Sequence, residues 1–220
     1  MRPELRLALN GATGNMGREV ARLARDGGWN IVCESSGRSF GDCAQADVWI
    51  DFSAPESTMR LLERIEAPIV IGTTGFSEQQ MECIREYSDK ASVLVAANMS
   101  FGVELLRRML KQFPNPGFGG DVSILEQHHR FKRDMPSGTA RVLEARLHDR
   151  GFENVPIHSV RAGGIVGVHE VRWVCESEEI ILTHRAFDRS VFARGALRAA
   201  DWLVSKKRGL FGISDVWEAA

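Results

Sequence analysis

Three glycines at a fixed spacing, Gly11, Gly14 and Gly17, stand between an apolar run ending at Asn10 and a helix-forming stretch that opens at Met16. A strand that turns through glycine straight into a helix constrains the fold strongly. The residues allow a tight turn, close approach of backbone to a ligand, and close packing of helix on sheet. The helix start presents unpaired N–H groups and a partial positive charge to an anion. A G-x-x-G-x-x-G pattern also occurs in ordinary strand–helix turns. Here it sits after a predicted strand and before a predicted helix, and Glu34 lies 20 residues beyond Gly14 at the end of a second strand. That spacing matches a ribose-binding carboxylate. Gly11, Ala12, Thr13, Gly14, Asn15 and Met16 are therefore assigned to a dinucleotide's pyrophosphate turn. A carboxylate at Glu34 accepts hydrogen bonds from a ribose diol and repels a 2′-phosphate, which favours NADH. Arg38 either offsets that repulsion and admits NADPH or is a solvated loop charge.

The rest of the first half fits the same plan. Strands are predicted over residues 5–10, 31–34, 48–52, 69–72 and 93–96, with helices over 16–26, 57–65 and 77–90. Regular alternation predicts a parallel sheet covered by helices, and apolar runs such as Ile69-Val70-Ile71 suit strands buried on both faces. The crossover from Ser35 to Asp47 spans only 13 residues, so a loop or single turn is expected in place of a full helix. Gly72-Thr73-Thr74 and Ala96-Ala97-Asn98-Met99 follow two of the strands. Turns at that sheet edge either contact the nicotinamide and its ribose or serve loop closure alone.

After Asn98 the alternation stops. A helix over 102–111 meets the breaker Pro114-Asn115-Pro116-Gly117, followed by a strand over 122–127 and a helix over 138–150. Strands are expected over 157–161, 170–175 and 180–185, the last two joined as a hairpin, before a final helix over 190–206. The fold class is thus α/β: a Rossmann-like parallel-sheet nucleotide-binding domain plus an α+β substrate and oligomerisation domain with an open mixed sheet. The boundaries fall at 1–98 and 99–199, with about 200–220 packing back onto the first domain.

Composition removes several function classes. The formal net charge is −1, from 28 Lys plus Arg against 29 Asp plus Glu, whereas binding DNA through phosphate neutralisation calls for a basic excess. No apolar stretch approaches the ~18 residues that span a bilayer. The glycine turn arrives before a signal-peptide core can form, so a cytoplasmic protein with no nucleic-acid or membrane partner is expected. Four irregularly spaced cysteines, Cys33, Cys43, Cys83 and Cys175, read as buried reduced thiols.

The densest chemistry is Glu126-Gln127-His128-His129-Arg130-Phe131-Lys132-Arg133-Asp134-Met135-Pro136-Ser137-Gly138-Thr139. Two histidines titrate near neutrality, a lysine pairs with a carboxylate or delivers a proton, and Ser137-Gly138-Thr139 forms a helix start that attracts an anion. Together they describe a pocket for a small anionic substrate that needs a proton. His148, His158, His169 and His184, standing singly, read as structural. Adjacent histidines on a strand point to opposite faces, so no metal site is expected.

At this point the chain resembles the 4-hydroxy-tetrahydrodipicolinate (dihydrodipicolinate) reductases of lysine biosynthesis. The likeness rests on the glycine turn, Asp51-Phe52-Ser53-Ala54-Pro55-Glu56, Val70-Ile71-Gly72-Thr73-Thr74-Gly75-Phe76, Ala96-Ala97-Asn98-Met99-Ser100, the histidine–lysine–serine segment and Arg161-Ala162-Gly163-Gly164-Ile165-Val166-Gly167. The resemblance implies hydride transfer from NADH or NADPH to C4 of a cyclic dicarboxylate, with the substrate hydroxyl lost as water. It assigns proton transfer to His128 and Lys132, and substrate contacts to His129, Ser137, Gly138 and Thr139. It also implies a homotetramer built through the second domain. Departures from the family are Ser35 after the acid, Met99, Met135 and the short crossover. A dinucleotide-sensing regulatory protein and a reductase of a related cyclic imine acid are the alternatives.

Overall fold

Short apolar runs without polar alternation are stable only where both faces are covered, and the first half of the chain meets that requirement. The computed structural model describes residues 4–37, 43 and 45–218. The chain divides into two units, Met1–Met99 with Arg189–Ala220, and Ser100–Asp188.

The first unit opens with β1 (Arg6–Asn10), α1 (Asn15–Asp26), β2 (Asn30–Ser35), β3 (Val48–Asp51), α2 (Pro55–Leu62), β4 (Ile69–Ile71), α3 (Glu78–Ser88) and β5 (Ser92–Val95). Leu7, Ala8 and Leu9 are all buried, as are Ile69, Val70 and Ile71, so successive side chains on both faces leave water. Trp49, Leu61, Ile69, Ile84 and Val93 form one core cluster on the side of α2 and α3. Helix α3 starts at a capping box: Ser77 Oγ accepts from Gln80 N at 3.2 Å and the Gln80 side chain accepts from Ser77 N at 2.9 Å. The Ser35–Asp47 crossover falls largely on residues outside those described, and so does Arg38.

In the second unit, α4 (Phe101–Met109) is followed by β6 (Asp121–His128), α5 (Gly138–His148), β7 (Ile157–Arg161), β8 (Gly167–Val174) and β9 (Glu179–Ala186). They form a mixed sheet in the order β7-β6-β8-β9, with β6–β7 parallel and the other pairs antiparallel. The expected hairpin is β8–β9. Leu106, Leu110, Ile124, Leu143, Val171 and Trp173 belong to this unit's own core.

The chain returns to the first unit at Arg189, about ten residues before the expected boundary at 199. The helix α6 (Ser190–Leu203) belongs with that unit because its buried face is nearly all small. Ala193, Ala196, Ala199 and Ala200 are fully buried, and the helix lies against α1, β3, β4 and β5. Then β10 (Gly209–Phe211), which the sequence reading omits, pairs in parallel with β5 before α7 (Ile213–Glu218). The sheet order is β10-β5-β4-β3-β1-β2. Its order reverses between β1 and β3, the switch point where open α/β sheets bind ligands.

The cysteines require a correction. Cys33 and Cys43 form a disulfide with their Cα atoms 5.6 Å apart, a pairing their irregular spacing does not announce. Cys83 is exposed and Cys175 half-buried, so none of the four is a buried reduced thiol. No helix among the described residues is long and apolar enough to cross a membrane.

The small face of α6 sets a stability test. Ala196→Leu inserts volume with no space to receive it and lowers unfolding free energy by about 2 kcal/mol. Arg194→Leu, on the exposed side, changes it by less than about 0.5 kcal/mol. Urea denaturation measures both, and equal effects would contradict the packing described.

Candidate active site

In the first unit the parallel arrangement gathers the turns after β1, β3, β4 and β5 at one sheet edge. Gly11 turns there with φ +79, and a Cβ on it would lie 2.3 Å from the Phe52 carbonyl oxygen. A Cβ on Gly17 would lie 2.1 Å from the Gly11 carbonyl oxygen, so only glycine lets α1 pack this closely on its own turn. Gly14 is the N-cap of α1 and no side chain caps that end, which leaves the first-turn N–H groups for an anion. A cavity of about 350 Å³ opens here, lined among others by Gly11, Thr13, Gly14, Ser36, Gly37 and Arg60. Its uncapped helix end and glycine cradle fit the phosphates of a dinucleotide.

Asp51 ties this edge together. It is fully buried and, among the described residues, pairs with no cation; it accepts from Asn10 Nδ2 at 2.8 Å, Ser53 Oγ at 2.5 Å, Thr73 Oγ1 at 3.1 Å and Thr58 Oγ1. Burial pushes its carboxyl up, against the pull of those four donors. The end of β1, the β3–α2 turn and the β4 turn are thereby pinned to one group.

The expected cofactor residues are placed unevenly. Thr13, Gly14 and Asn15 are exposed at the turn, Met16 is half-buried beside it, and Ala12 is buried, its N–H held by the Ser35 carbonyl at 2.8 Å. Gly72 N donates to the Asp51 carbonyl at 2.8 Å and Ala96 N to the Ile71 carbonyl at 3.1 Å. Thr73 is buried and faces Asp51, whereas Thr74 and Ala97 are exposed and Asn98 is half-buried. Met99 is 1% exposed, with its carbonyl against Gly195 of α6; it fills core space instead of facing solvent at the edge. Glu34 departs further. Register places Ser35, not Glu34, opposite Asn10 at the strand end. One residue short of the turn, Glu34 is paired with Arg25 of α1 and does not line the cavity.

In the second unit the chemistry grows out of strand period. Along β6 the buried positions are Val122, Ile124, Glu126 and His128, so the face that starts apolar ends in an acid and an imidazole. The two-residue spacing lets His128 Nδ1 meet Glu126 Oε2 at 2.5 Å. Arg161, beside His128 in the parallel register of β7, donates to both Glu126 oxygens, at 2.9 and 2.6 Å. Ser137 N adds a donor at 3.2 Å. Burial opposes ionisation of Glu126, but hydrogen bonds from Arg161, Ser159 and His128 together with the Arg161 charge outweigh it and hold the carboxyl down at about 2. Burial lowers the pKa of His128, and Lys132 and Arg161 push the same way against the attraction of Glu126. The lowered pKa favours the neutral imidazole at neutral pH, and the contact with Glu126 favours its proton on Nδ1.

The loop after β6 carries the remaining groups. Lys132 Nζ lies 2.7 Å from Asp134 Oδ1. Ser137 caps α5, its Oγ accepting from Ala140 N at 3.2 Å; Gly138 is exposed and Thr139 half-buried in the first turn. His129 is half-buried, its ring 6.4 Å from that of Phe131. His148 is structural, its Nδ1 2.7 Å from the Phe152 carbonyl oxygen, and His158 is exposed. His169, read from sequence as structural, instead lies in the site, with Nε2 3.0 Å from Ser137 Oγ and its ring edge-on to His128 at 5.1 Å. Glu126 and Arg161 are the other two residues the sequence reading left without a role. The i, i+2 spacing of Glu126 and His128 carried a signal for the first; nothing in the sequence placed His169. Among the described residues no group of His, Cys, Asp or Glu converges to hold a metal ion.

Comparison with known proteins shows the family. Residues 33–99 match the pattern of the dihydrodipicolinate reductase N-terminus and residues 101–217 that of its C-terminus. The chain is 38% identical to a 4-hydroxy-tetrahydrodipicolinate reductase of Bdellovibrio bacteriovorus, over 97% of this chain and 96% of that one. A reductase of the same name from Caulobacter vibrioides is 35% identical over 98% of each. Among solved structures, a dipicolinate-bound dihydrodipicolinate reductase from a Paenisporosarcina species superposes with a TM-score of 0.74 at 22% identity, covering 94% of this chain and 97% of that one.

The Glu126 network predicts a pH signature. Its folded pKa lies below the ordinary carboxylate value, so the ionised form contributes stability that is present above about pH 4.5 and lost as pH falls toward 2. Glu126→Gln should cost about 3 kcal/mol at pH 7, since it leaves the Arg161 charge unpaired, and the variant should lose less further stability on acidification than the parent. Urea unfolding at pH 7, 4.5 and 3 checks both signs; parallel pH profiles would contradict the assignment.

Proposed function

Since the chain belongs to the dihydrodipicolinate reductase family, we propose that it reduces 4-hydroxy-tetrahydrodipicolinate to tetrahydrodipicolinate, in diaminopimelate and lysine biosynthesis. The observation that carries this reading is His128, held at Nδ1 by ionised Glu126, on the strand that leads into Lys132 and the start of α5. A reduced nicotinamide dinucleotide, when bound, supplies hydride to C4 of the substrate.

The chain's own residues do the rest. The reaction releases the C4 hydroxyl as water and takes up one proton for each hydride. Lys132 supplies a proton as ammonium, and His128 moves protons at Nε2 because Nδ1 is committed to Glu126. Ser137, Gly138 and Thr139 bind a substrate carboxylate at the helix start, where backbone N–H groups favour negative charge. His129 contacts the substrate beside them. Gly11, Ala12, Thr13, Gly14, Asn15 and Met16 hold the coenzyme's phosphates, with Gly72, Thr73, Thr74, Ala96, Ala97 and Asn98 along the same edge. The protein works as a cytoplasmic homotetramer, assembled through the open face of the β7-β6-β8-β9 sheet, where Val160 and Ile181 are exposed.

Coenzyme preference falls to the residues lining the cavity. Glu34 is engaged by Arg25, while Arg60 lines the cavity and donates to the Gly37 carbonyl at 2.8 Å. A cation there accepts a 2′-phosphate, so both NADH and NADPH serve. Arg60→Ala should weaken NADPH by about five- to tenfold relative to NADH, the worth of one charge-assisted hydrogen bond, while Glu34→Ala leaves the ratio unchanged. The opposite pattern in steady-state kinetics would return discrimination to Glu34.

The activity is tested by mixing the full chain with NADH or NADPH and the freshly made product of dihydrodipicolinate synthase, and following loss of reduced-nicotinamide absorbance. Turnover supports the proposal; coenzyme binding without turnover would identify a sensor, and turnover only with another cyclic imine acid a different reductase. His128→Gln should lower kcat by about 10²–10⁴-fold, the range for a lost acid–base group, with coenzyme Kd unchanged. Equal losses in both would remove the proton-transfer role.

A further inference from the structure

His169 stands outside the reaction just described, yet it touches the group that begins α5. It is 3% exposed, and burial, reinforced by the nearby His128 and His184, pushes its pKa down to about 3, so the ring is neutral at any working pH. Nε2 lies 3.0 Å from Ser137 Oγ. Nδ1 is buried and has no hydrogen-bond partner among the described residues.

Two neutral tautomers are available, and they make opposite demands on Ser137. With the proton on Nδ1, the imidazole leaves a buried N–H without an acceptor and takes the only hydroxyl proton of Ser137 at Nε2. With the proton on Nε2, the imidazole donates to Ser137 Oγ and leaves only a lone pair at Nδ1. Buried donors without partners are rarer than under-satisfied acceptors, which favours the second arrangement. Ser137 Oγ already accepts from Ala140 N at 3.2 Å. A second donor at Nε2 fills its remaining lone pair. The hydroxyl then has one capacity left, to donate, and two incoming hydrogen bonds polarise it further.

We propose that His169 is a positioning residue that turns Ser137 into an obligate hydrogen-bond donor and so selects a carboxylate oxygen at the start of α5. The proposal rests on the reading of Ser137 as a substrate contact. It acts through direction: the histidine never meets substrate, and it excludes a ligand that would present a donor at that point.

The test uses dipicolinate, a stable cyclic dicarboxylate, titrated calorimetrically into the full chain, with NADH affinity and thermal unfolding measured alongside. His169→Gln places a side-chain N–H within reach of Ser137 Oγ and should bind dipicolinate within about twofold of the parent. His169→Asn is polar but too short to reach, and should weaken binding about tenfold, the worth of one directed hydrogen bond to a charged group. NADH affinity should be unchanged in both. Ser137→Ala should weaken dipicolinate about tenfold, and adding His169→Asn to it should cost nothing further. If Ser137→Ala weakens binding but His169→Asn does not, the role given to His169 is overturned while the substrate site stands. If Ser137→Ala has no effect, the substrate reading of Ser137 fails and the inference fails with it. Should His169→Asn not fold, His169→Leu takes its place with the same tenfold loss expected, and a loss of twofold or less overturns the proposal.

Discussion

A carboxylate taken out of water remains charged only where donors surround it, and the second unit is organised around one that does. Glu126 is fully buried, yet both of its oxygens are filled by the guanidinium fork of Arg161, by His128 Nδ1 and by the Ser137 amide. Coulomb attraction and hydrogen bonding at short range exceed the desolvation cost here because the geometry is bidentate. The consequences run outward from that acid. Its charge sets the tautomer of His128, its other oxygen fixes the first residue of the α5 cap, and Arg161 is held where it also donates to the Asp134 carbonyl at 2.7 Å. Asp134 in turn holds Lys132. One ionised group thus orients the imidazole, the helix start and the loop that bears the ammonium.

The first unit solves a related problem with neutral donors. Asp51 is equally buried, but neutral donors from Asn10, Ser53, Thr58 and Thr73 surround it, and its carboxyl is pushed up where that of Glu126 is held down. The contrast follows from the partners: a guanidinium compensates a charge that amides and hydroxyls only solvate. Each acid pins the turns of its own unit.

Much of this was legible in the sequence because period and punctuation are local. The glycine turn, the alternation of apolar runs with helices and the hairpin after Glu170 needed no tertiary information, and β7 matches its expected limits residue for residue. What the sequence did not carry was non-local. Glu34 has the spacing of a ribose acid, while strand register sets Ser35 at the strand end and Arg25, nine positions earlier, pairs with Glu34. The boundary near 199 cuts through α6, which the sequence predicts over 190–206, because an alanine-rich helix packs equally well on several surfaces. β10 is too short, at three residues, to announce itself. The Cys33–Cys43 bond depends on a spatial approach that cysteine spacing does not encode. His169 stands alone in the sequence, and only the register of β8 against β6 sets it opposite Glu126.

The account turns on the protonation pattern of His128, and nitrogen-15 spectroscopy of the histidine side chains reads it directly. At pH 7 the His128 ring should be neutral with its proton on Nδ1 and a bare Nε2, and Glu126→Gln should shift it toward a mixture of tautomers. A ring carrying its proton on Nε2, or protonated on both nitrogens at that pH, would contradict the arrangement from which the proton chemistry has been derived.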